Sequence, residues 1–292
     1  MQTGKSWEGH YSNGGFTHGL SDKGRHGDAG LVIGRQTLQP IYDFIEAGGE
    51  QPFFVWYAPM MPHEPHTPPE RILRKYLVEG HNEKLARYWA MCEWFDETCG
   101  ALLGWLDKKD LRRNTLVAFV VDNGWIQETG PSQTTRGWFA PKSKLSPYDG
   151  GVRTPILLRW PGLVKPGRYG DLVSSIDLAP TFLSACGLKP DERMPGLNLL
   201  DCAGGRMKLN RDAVFGEIFL HTSVDLEKPE RNLTHRWMRQ GDWKLIVPVQ
   251  PPAAPELYNL ASDPQEKTAL AAQETQRVDQ LLKVLNAWSG GR

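Results

Sequence analysis

Residues 115–155 decide the fold, and they include TLVAFVVDNGW at 115–125 and PKSKLSPYDGGVRTP at 141–155. The apolar run 116–121 has no polar interruption, a pattern typical of a strand buried on both faces of a parallel sheet. It ends in Asp122-Asn123-Gly124, three residues that also favour a tight turn; taken alone, the turn is the simpler interpretation. In open α/β sheets, however, ligands bind beyond the carboxyl ends of strands, so this carboxylate and this amide are candidate ligands.

Two further segments place reactive side chains beside predicted strands. The apolar run 53–58 leads into Pro59-Met60-Met61-Pro62-His63-Glu64-Pro65, and Lys144 lies five positions before Asp149 of Tyr148-Asp149-Gly150-Gly151. A neutral imidazole can donate a hydrogen bond to an anionic oxygen, and an ammonium group can stabilise developing negative charge. Lys142 is the competing lysine. Spacing to the Tyr-Asp-Gly-Gly turn favours Lys144, and we interpret Lys142 as ordinary surface charge.

In this order the motifs resemble those of the sulfatase family of the alkaline-phosphatase superfamily. The resemblance extends from Gly4-Lys5 to Leu257-Tyr258-Asn259-Leu260. It implies a sulfatase-like α/β fold: a mostly parallel sheet flanked by helices, truncated at its N-terminus, with a small antiparallel C-terminal sheet and a closing helix. The implied activity is hydrolysis of sulfuric esters.

The resemblance also implies roles for the candidate site residues. His63 and Lys144 would contact the sulfate, and Lys5 would join them because it matches the lysine of the family's Gly-Lys-Trp-His element. Ser6-Trp7 follow Lys5, so the family's histidine is absent and His10 is the candidate substitute in substrate binding. Solvated loop positions are the competing interpretation of Lys5 and His10.

The cation is implied by the Asp-Asn pair. Asp122 and Asn123 offer oxygen ligands only, which suits Ca²⁺, with Mg²⁺ as the alternative. Zinc phosphatases of the superfamily tend to place Asp-His at this strand end, because zinc accepts imidazole nitrogen. Asn123 therefore favours one hard cation over a two-zinc site.

The family nucleophile, a formylglycine, is made from the Cys or Ser that opens a Cys/Ser-x-Pro-x-Arg motif. None of the four cysteines opens this motif, and neither does any serine. The two aspartates that normally complete the cation site near a family member's start are absent as well. We therefore expect the formylglycine in a missing N-terminal part of the complete enzyme, and no activity from the 292-residue chain alone.

Two alternatives remain open. The first is a phosphodiester or phosphonate ester hydrolase of the same superfamily, which shares the Asp-Asn pair of cation ligands. The second is a non-catalytic remnant, which would bind a sulfated or acidic ligand or nothing. For a sulfatase, the expected partner is a sulfated small molecule or sulfated carbohydrate. His221 is a candidate wall residue of a sugar pocket, but the sequence does not name the sugar.

Composition sets the broad class. The chain has 292 residues, 40% hydrophobic and 23% charged, with 34 basic and 34 acidic residues. These values are typical of a globular protein, and the clustered positive charge of a nucleic-acid binder is absent. No apolar run has the length of a membrane-spanning helix, and no signal-peptide pattern follows Met1. The family implies a periplasmic or secreted enzyme, but the sequence leaves the compartment open.

Periodicity and turn residues predict the remaining elements. Helices are predicted at 39–47, 70–77, 82–107, 174–186 and 275–288, and further strands at 156–160, 213–220 and 237–249, the last interrupted by a turn at Gly241-Asp242. The glycine-rich segment 202–206 predicts a boundary between an α/β domain, 1–204, and a C-terminal subdomain, 205–292.

Overall fold

The computed structural model describes residues 1–5, 9–22, 29–78, 82–124, 142–205 and 207–290. The chain divides into two compact units, Met1–Arg112 and Arg113–Arg292. The boundary that the sequence predicts between 204 and 205 falls inside the second unit and stays a prediction. Among the described helices, none has the length and apolar character needed to cross a bilayer.

The first unit is built on a parallel strand pair. Strand β1, Gln2–Gly4, pairs in parallel with β2, Trp56–Ala58, and helix α1, Gln39–Gly48, lies between them in sequence. Pro40 falls in the first turn of α1, where its missing N–H costs no hydrogen bond. Because parallel strands end at the same edge, this pairing brings residues after Gly4 and after Ala58 to one side of the unit.

Two helices complete the first unit. They are α2, Glu70–Tyr76, and α3, Glu83–Lys108. The Asn82 side chain accepts hydrogen bonds from the Lys84 and Leu85 amides, at 2.9 and 3.4 Å, and so begins α3. The two helices pack through a small apolar cluster of Ile72, Leu73, Ala86 and Ala90.

The central run of the sequence forms β3, Val117–Val120, in the second unit. It pairs with β4, Ile156–Arg159, and the pairing is antiparallel, with Val120 opposite Ile156. The expectation of a parallel partner buried on both faces is therefore wrong for this pair, since all four residues of β3 are half-buried. The chain turns back because Gly124 N donates to Gly151 O at 2.8 Å, which places the start of β4 beside the end of β3.

Helices α4, Asp149–Val152, α5, Leu178–Ala185, and α6, Leu199–Ala203, follow in the second unit. Asp177, immediately before α5, is completely buried and is a structural centre. Its carboxylate accepts from Ser174 N and Leu197 N at 2.8 Å each, and both terminal nitrogens of Arg211 donate to it at 2.6 Å. Asp177 thus ties together three separate stretches of chain.

A four-stranded antiparallel sheet lies near the C-terminus, as the sequence predicts. Its strands are β5, Ala213–Phe219, β6, Leu233–Gln240, β7, Trp243–Pro248, and β8, Glu256–Asn259, in that spatial order. Helix α7, Thr275–Trp288, closes the chain. One face of the sheet packs on α7 in a core of Met238, Leu245, Leu257, Val278, Leu281 and Leu285.

The opposite face of this sheet contacts the segment before α4. Ile246 and Tyr258 form a second buried cluster with Leu260, and Tyr148 packs against it. Successive residues of a strand point to opposite faces, so Lys244 shares this second face with Ile246. Both faces of the C-terminal sheet are therefore covered.

Candidate active site

In the first unit, Lys5 and His63 follow the two parallel strands. Lys5 N donates to Ala58 O at the end of β2, and Lys5 O accepts from Trp56 Nε1 at 3.0 Å. His63 lies five residues beyond Ala58 and is exposed. These two candidate residues thus follow strands that end at the same edge of the β1–β2 pair.

Hydrogen bonding fixes the proton of the His63 ring. Its Nδ1 lies 2.9 Å from Glu64 O, and a carbonyl oxygen can only accept, so Nδ1 carries the hydrogen. In the neutral ring, Nε2 then holds a lone pair. The contact of His63 with a sulfate oxygen stays a prediction.

Arg35 holds the loop that carries His63. Its Nη2 donates to Met60 O at 2.7 Å and to His63 O at 3.2 Å. Its Nη1 donates to Pro65 O at 3.0 Å and to Thr67 Oγ1 at 2.9 Å. Burial lowers the pKa of this guanidinium. One side chain thus connects four points of the loop, and nothing in the sequence near Arg35 indicates that role.

His10 has a local structural role. Its Nδ1 accepts from the backbone N–H of Ser12 at 3.3 Å and caps the short 3₁₀ turn Tyr11–Gly14. In the neutral ring the hydrogen is then on Nε2, the atom that could donate to an anion. His10 is exposed in the first unit, and its part in substrate binding stays a prediction.

In the second unit, the Asp122-Asn123-Gly124 turn is packed directly on the Tyr148-Asp149-Gly150-Gly151 turn. Besides the hydrogen bond to Gly151 O, the backbone of Gly124 lies against that of Gly150. A Cβ on Gly124 would lie 1.7 Å from Gly150 O, far inside contact distance. Only glycine fits at position 124, and the reason is this contact with Gly150 rather than the conformation of the turn.

The loop of Lys144 contacts the same place. A Cβ on Gly151 would lie 2.4 Å from Ser143 O and 2.5 Å from Ser146 O, the residues that bracket Lys144 and Leu145 in the chain. The turn of the candidate cation ligands and the loop of Lys144 therefore both contact the backbone of Gly150 and Gly151. Lys5 and His63 belong to the first unit, so convergence of all these residues on one crevice stays a prediction.

Lys142 is not ordinary surface charge, and that interpretation is wrong. Its Nζ lies 4.5 Å from the ring centroid of Tyr148 and 5.0 Å from that of Tyr258, and it donates to Glu266 O. Tyr148 OH in turn donates to Glu256 at 2.9 Å. Burial, followed by the carboxylate of Glu256, raises the pKa of Tyr148 to about 12. Lys142 is a half-buried structural residue, because it packs against the ring of the nearby Tyr148 and against that of Tyr258, 116 residues away in sequence.

Asp122 and Asn123 supply oxygen donors, the type of ligand that a hard metal ion such as Ca²⁺ prefers. Asn123 Nδ2 donates to Gly124 O at 2.8 Å, so Oδ1 is the amide atom suited to ligation. Together with the Asp122 carboxylate this gives oxygen donors from two residues, whereas Ca²⁺ takes about six to eight. Within the described ranges, no group of three or more His, Cys, Asp and Glu residues could hold a metal ion. These two residues would therefore form only part of a calcium site.

His221 lies in the segment after β5 and is exposed. It belongs to the second unit, as Asp122 and Lys144 do. Its place in a sugar pocket stays a prediction. Sequence reasoning missed Lys244 and Glu266, which are buried beneath the Asp149 turn. A signal was present in Lys244, a lysine within the apolar strand pattern Trp243-Lys244-Leu245-Ile246-Val247.

The family model of sulfatases matches residues 5–188, more than half of the chain. The chain belongs to the sulfatase family. The C-terminal model of N-sulphoglucosamine sulphohydrolase matches residues 135–287. The two matches overlap over the turn at Asp149, the segment on which the C-terminal sheet packs.

Similar proteins agree with this assignment. The N-acetylgalactosamine-6-O-sulfatase of Bacteroides thetaiotaomicron is 27% identical over 279 residues, covering 84% of this chain and 48% of the relative. The crystal structure of Ps i-CgsB in complex with k-i-k-neocarrahexaose matches with a TM-score of 0.69 at 22% identity, covering 92% of this chain and 56% of that one.

The phosphonate monoester hydrolase of Agrobacterium radiobacter matches with a TM-score of 0.63 at 23% identity, covering 85% of this chain and 58% of that one. This chain therefore shares its fold with a phosphonate monoester hydrolase as well as with Ps i-CgsB. This chain spans about half the length of the curated relatives it matches.

Proposed function

We propose that this chain is the part of a sulfatase that hydrolyses a sulfated carbohydrate, and that it contributes the Asp122–Asn123 pair of a calcium-type site and the sulfate-binding Lys144. The observation that carries the proposal is the direct packing of the Asp122-Asn123-Gly124 turn on the turn at Gly150–Gly151. That packing holds the two candidate cation ligands and the loop of Lys144 in one small region. Hydrolysis of a sulfate ester needs a concentration of positive charge around the sulfuryl oxygens.

The chemistry follows from charge. Cleavage of a sulfate monoester places more negative charge on the bridging oxygen, so the catalyst needs preorganised positive groups around the sulfuryl oxygens. A bound cation, held by Asp122 and Asn123, would supply the largest local positive field. The Lys144 ammonium would bind a sulfuryl or leaving oxygen. His63 and Lys5 are the proposed contributors from the first unit.

The same fold leaves a second candidate. A phosphonate monoester hydrolase structure matches at a TM-score of 0.63, so a phosphonate or phosphodiester substrate is the alternative within enzymes. We favour the sulfate ester because the family model and the relative's name both indicate sulfatases. A non-catalytic ligand-binding module is the alternative outside enzymes.

The test is ligand binding to the purified 292-residue chain by titration calorimetry with and without Ca²⁺. The ligands are N-acetylgalactosamine-6-sulfate, unsulfated N-acetylgalactosamine and a phenyl phosphonate monoester. We expect Ca²⁺-dependent binding of the sulfated sugar alone, lost in Asp122→Ala and in Lys144→Ala. Equal binding of the unsulfated sugar would contradict the proposal, and preference for the phosphonate would favour the alternative.

Hydrolysis is tested separately. The 292 residues contain no Cys/Ser-x-Pro-x-Arg motif, so we expect no turnover of an aryl sulfate above buffer, even with a formylglycine-generating enzyme co-expressed. Calcium-dependent turnover by this chain would show a nucleophile outside that motif. In a complete enzyme, Lys144→Ala should lower the rate by roughly 10²–10³, the usual cost of one charge-stabilising donor.

A further inference from the structure

Lys244, on β7, is a completely buried lysine. Lysines are almost never fully buried unless they are paired. The ammonium lies 2.7 Å from Asp149 Oδ1 and 3.0 Å from Glu266 Oε1, and it sits 5.4 Å from the ring centroid of Trp237. One cation thus joins two carboxylates that lie 117 residues apart in sequence.

Both the side chain and the backbone of Asp149 are held. Lys244 binds the carboxylate, while Glu266 Oε2 accepts from Asp149 N at 2.6 Å. Burial raises the pKa of Glu266, and the nearby Lys244 opposes that rise. By contrast, the remaining cation near Asp149, Arg153, is largely exposed and lies 3.8 Å from Oδ2. Lys244 and Glu266 therefore fix the first residue of α4.

From α4 the contacts continue to the candidate cation pair. Gly151 O accepts the N–H of Gly124 at 2.8 Å, and the backbones of Gly124 and Gly150 are in close contact. Asn123 is the residue before Gly124. A shift of α4 therefore moves the turn that carries Asp122 and Asn123, because no side chain lies between the two backbones to absorb it.

We propose that Lys244 and Glu266 are positioning residues for the Asp122-Asn123-Gly124 turn, so that the C-terminal sheet sets the geometry of the candidate cation site. The cation-binding part of this inference rests on the proposed function; the positioning of the turn does not. Both residues act through Asp149 and the α4 backbone.

The first measurement is hydrogen exchange at the Gly124 amide in the full chain, which needs no ligand. In Lys244→Met, the buried carboxylate of Glu266 and the largely buried carboxylate of Asp149 lose their shared cation and repel each other. We expect exchange at Gly124 to rise at least tenfold, while the amides of β6 and β7 keep their protection. Lys189→Met removes an exposed lysine and is the matched control, with no change expected.

Rescue separates positioning from general stabilisation. In the double variant Lys244→Met/Glu266→Gln, the new amide still accepts from Asp149 N and no longer repels the Asp149 carboxylate, so protection at Gly124 should return. If Lys244→Met does not fold, Glu266→Ala is the second variant. It removes the acceptor for Asp149 N and leaves the Lys244–Asp149 pair. We expect it to raise hydrogen exchange at the Gly124 amide while the amides of β6 and β7 stay protected.

The second measurement is Ca²⁺ affinity by calorimetry. Disturbing groups that orient metal ligands commonly costs roughly 10- to 100-fold in affinity. We expect Lys244→Met to lower the Ca²⁺ affinity by about tenfold, and the double variant to recover it.

If the unaltered chain binds no Ca²⁺, the Asp122–Asn123 pair does not hold the ion by itself, and exchange at Gly124 decides the positioning role. Unchanged Gly124 exchange in folded variants, or equal loss of protection across β6 and β7, would overturn the inference.

Discussion

The buried pair of Asp177 and Arg211 should contribute strongly to stability, and Arg211→Met tests this. The carboxylate of Asp177 is completely buried, and the Arg211 side chain is only 10% exposed. Methionine keeps the apolar length of arginine but removes both 2.6 Å hydrogen bonds. The carboxylate would then stay buried with only two backbone N–H donors.

The expected magnitude follows from that uncompensated charge. Removing one partner of a buried ion pair usually costs about 3–5 kcal/mol. A typical domain has a free energy of unfolding of about 5–15 kcal/mol, so this loss is a large fraction of the total. Because both partners are shielded from water, solvent screening reduces the effect little.

Urea unfolding followed by circular dichroism measures the change, with Arg231→Met as the matched control. Arg231 pairs with Asp225 at 3.0 Å but is 64% exposed, and exposed pairs are worth about 0–1 kcal/mol. Adding Asp177→Asn to Arg211→Met should recover part of the loss, because the buried charge is gone. Two results would refute this reasoning: an equal loss of unfolding free energy in the two arginine variants, or a double variant that is less stable than Arg211→Met.

Three further outcomes are expected. Lys142→Met should lower the free energy of unfolding by about 1–3 kcal/mol, because it loses two aromatic contacts; a melting temperature unchanged from the natural sequence would contradict this. Burial raises the pKa of Cys99 to about 11, so roughly 10⁻³ of it is thiolate at pH 8. Iodoacetamide should therefore label the exposed Cys186 first by mass spectrometry, and early labelling of Cys99 would refute its burial. Burial lowers the pKa of His66 below the ordinary value of about 6.5, so the unfolded chain binds that proton more tightly. Stability should fall as pH drops through about 6.5 and level off below the folded-state pKa, and His66→Asn should reduce this slope in urea titrations at pH 5–8.

Apolar periodicity predicted the elements well where burial is one-sided. The closing helix, Thr275–Trp288, begins and ends where the pattern places it, because Val278, Leu281 and Leu285 all face the sheet. The start of β6 at Leu233 was missed. Arg236 lies in that part of the strand and pairs with Glu217 across the sheet at 3.2 Å, so a charged residue stands where the strand pattern expects an apolar or small one.

The candidate site was predictable only where a motif carries it. Asp122, Asn123 and Lys144 lie in recognisable turns, and the structure packs the segments of both turns on Gly150–Gly151. The environments of Lys142 and Lys244 were not predictable in full, because each has a partner far away in sequence: Glu266 is 124 residues from Lys142, and Asp149 is 95 residues from Lys244. No local pattern reports whether a lysine ends among tyrosines, among carboxylates or in water.

The contacts across the glycine-rich segment 202–206 bear on how this family can be recombined. Asp149 and Asp177 lie before it, and their cations Lys244 and Arg211 lie after it. A hybrid gene joined at 205 would take each buried anion from one parent and its cation from the other. A crossover at 112/113, the border between the two compact units, keeps both pairs within one parental sequence.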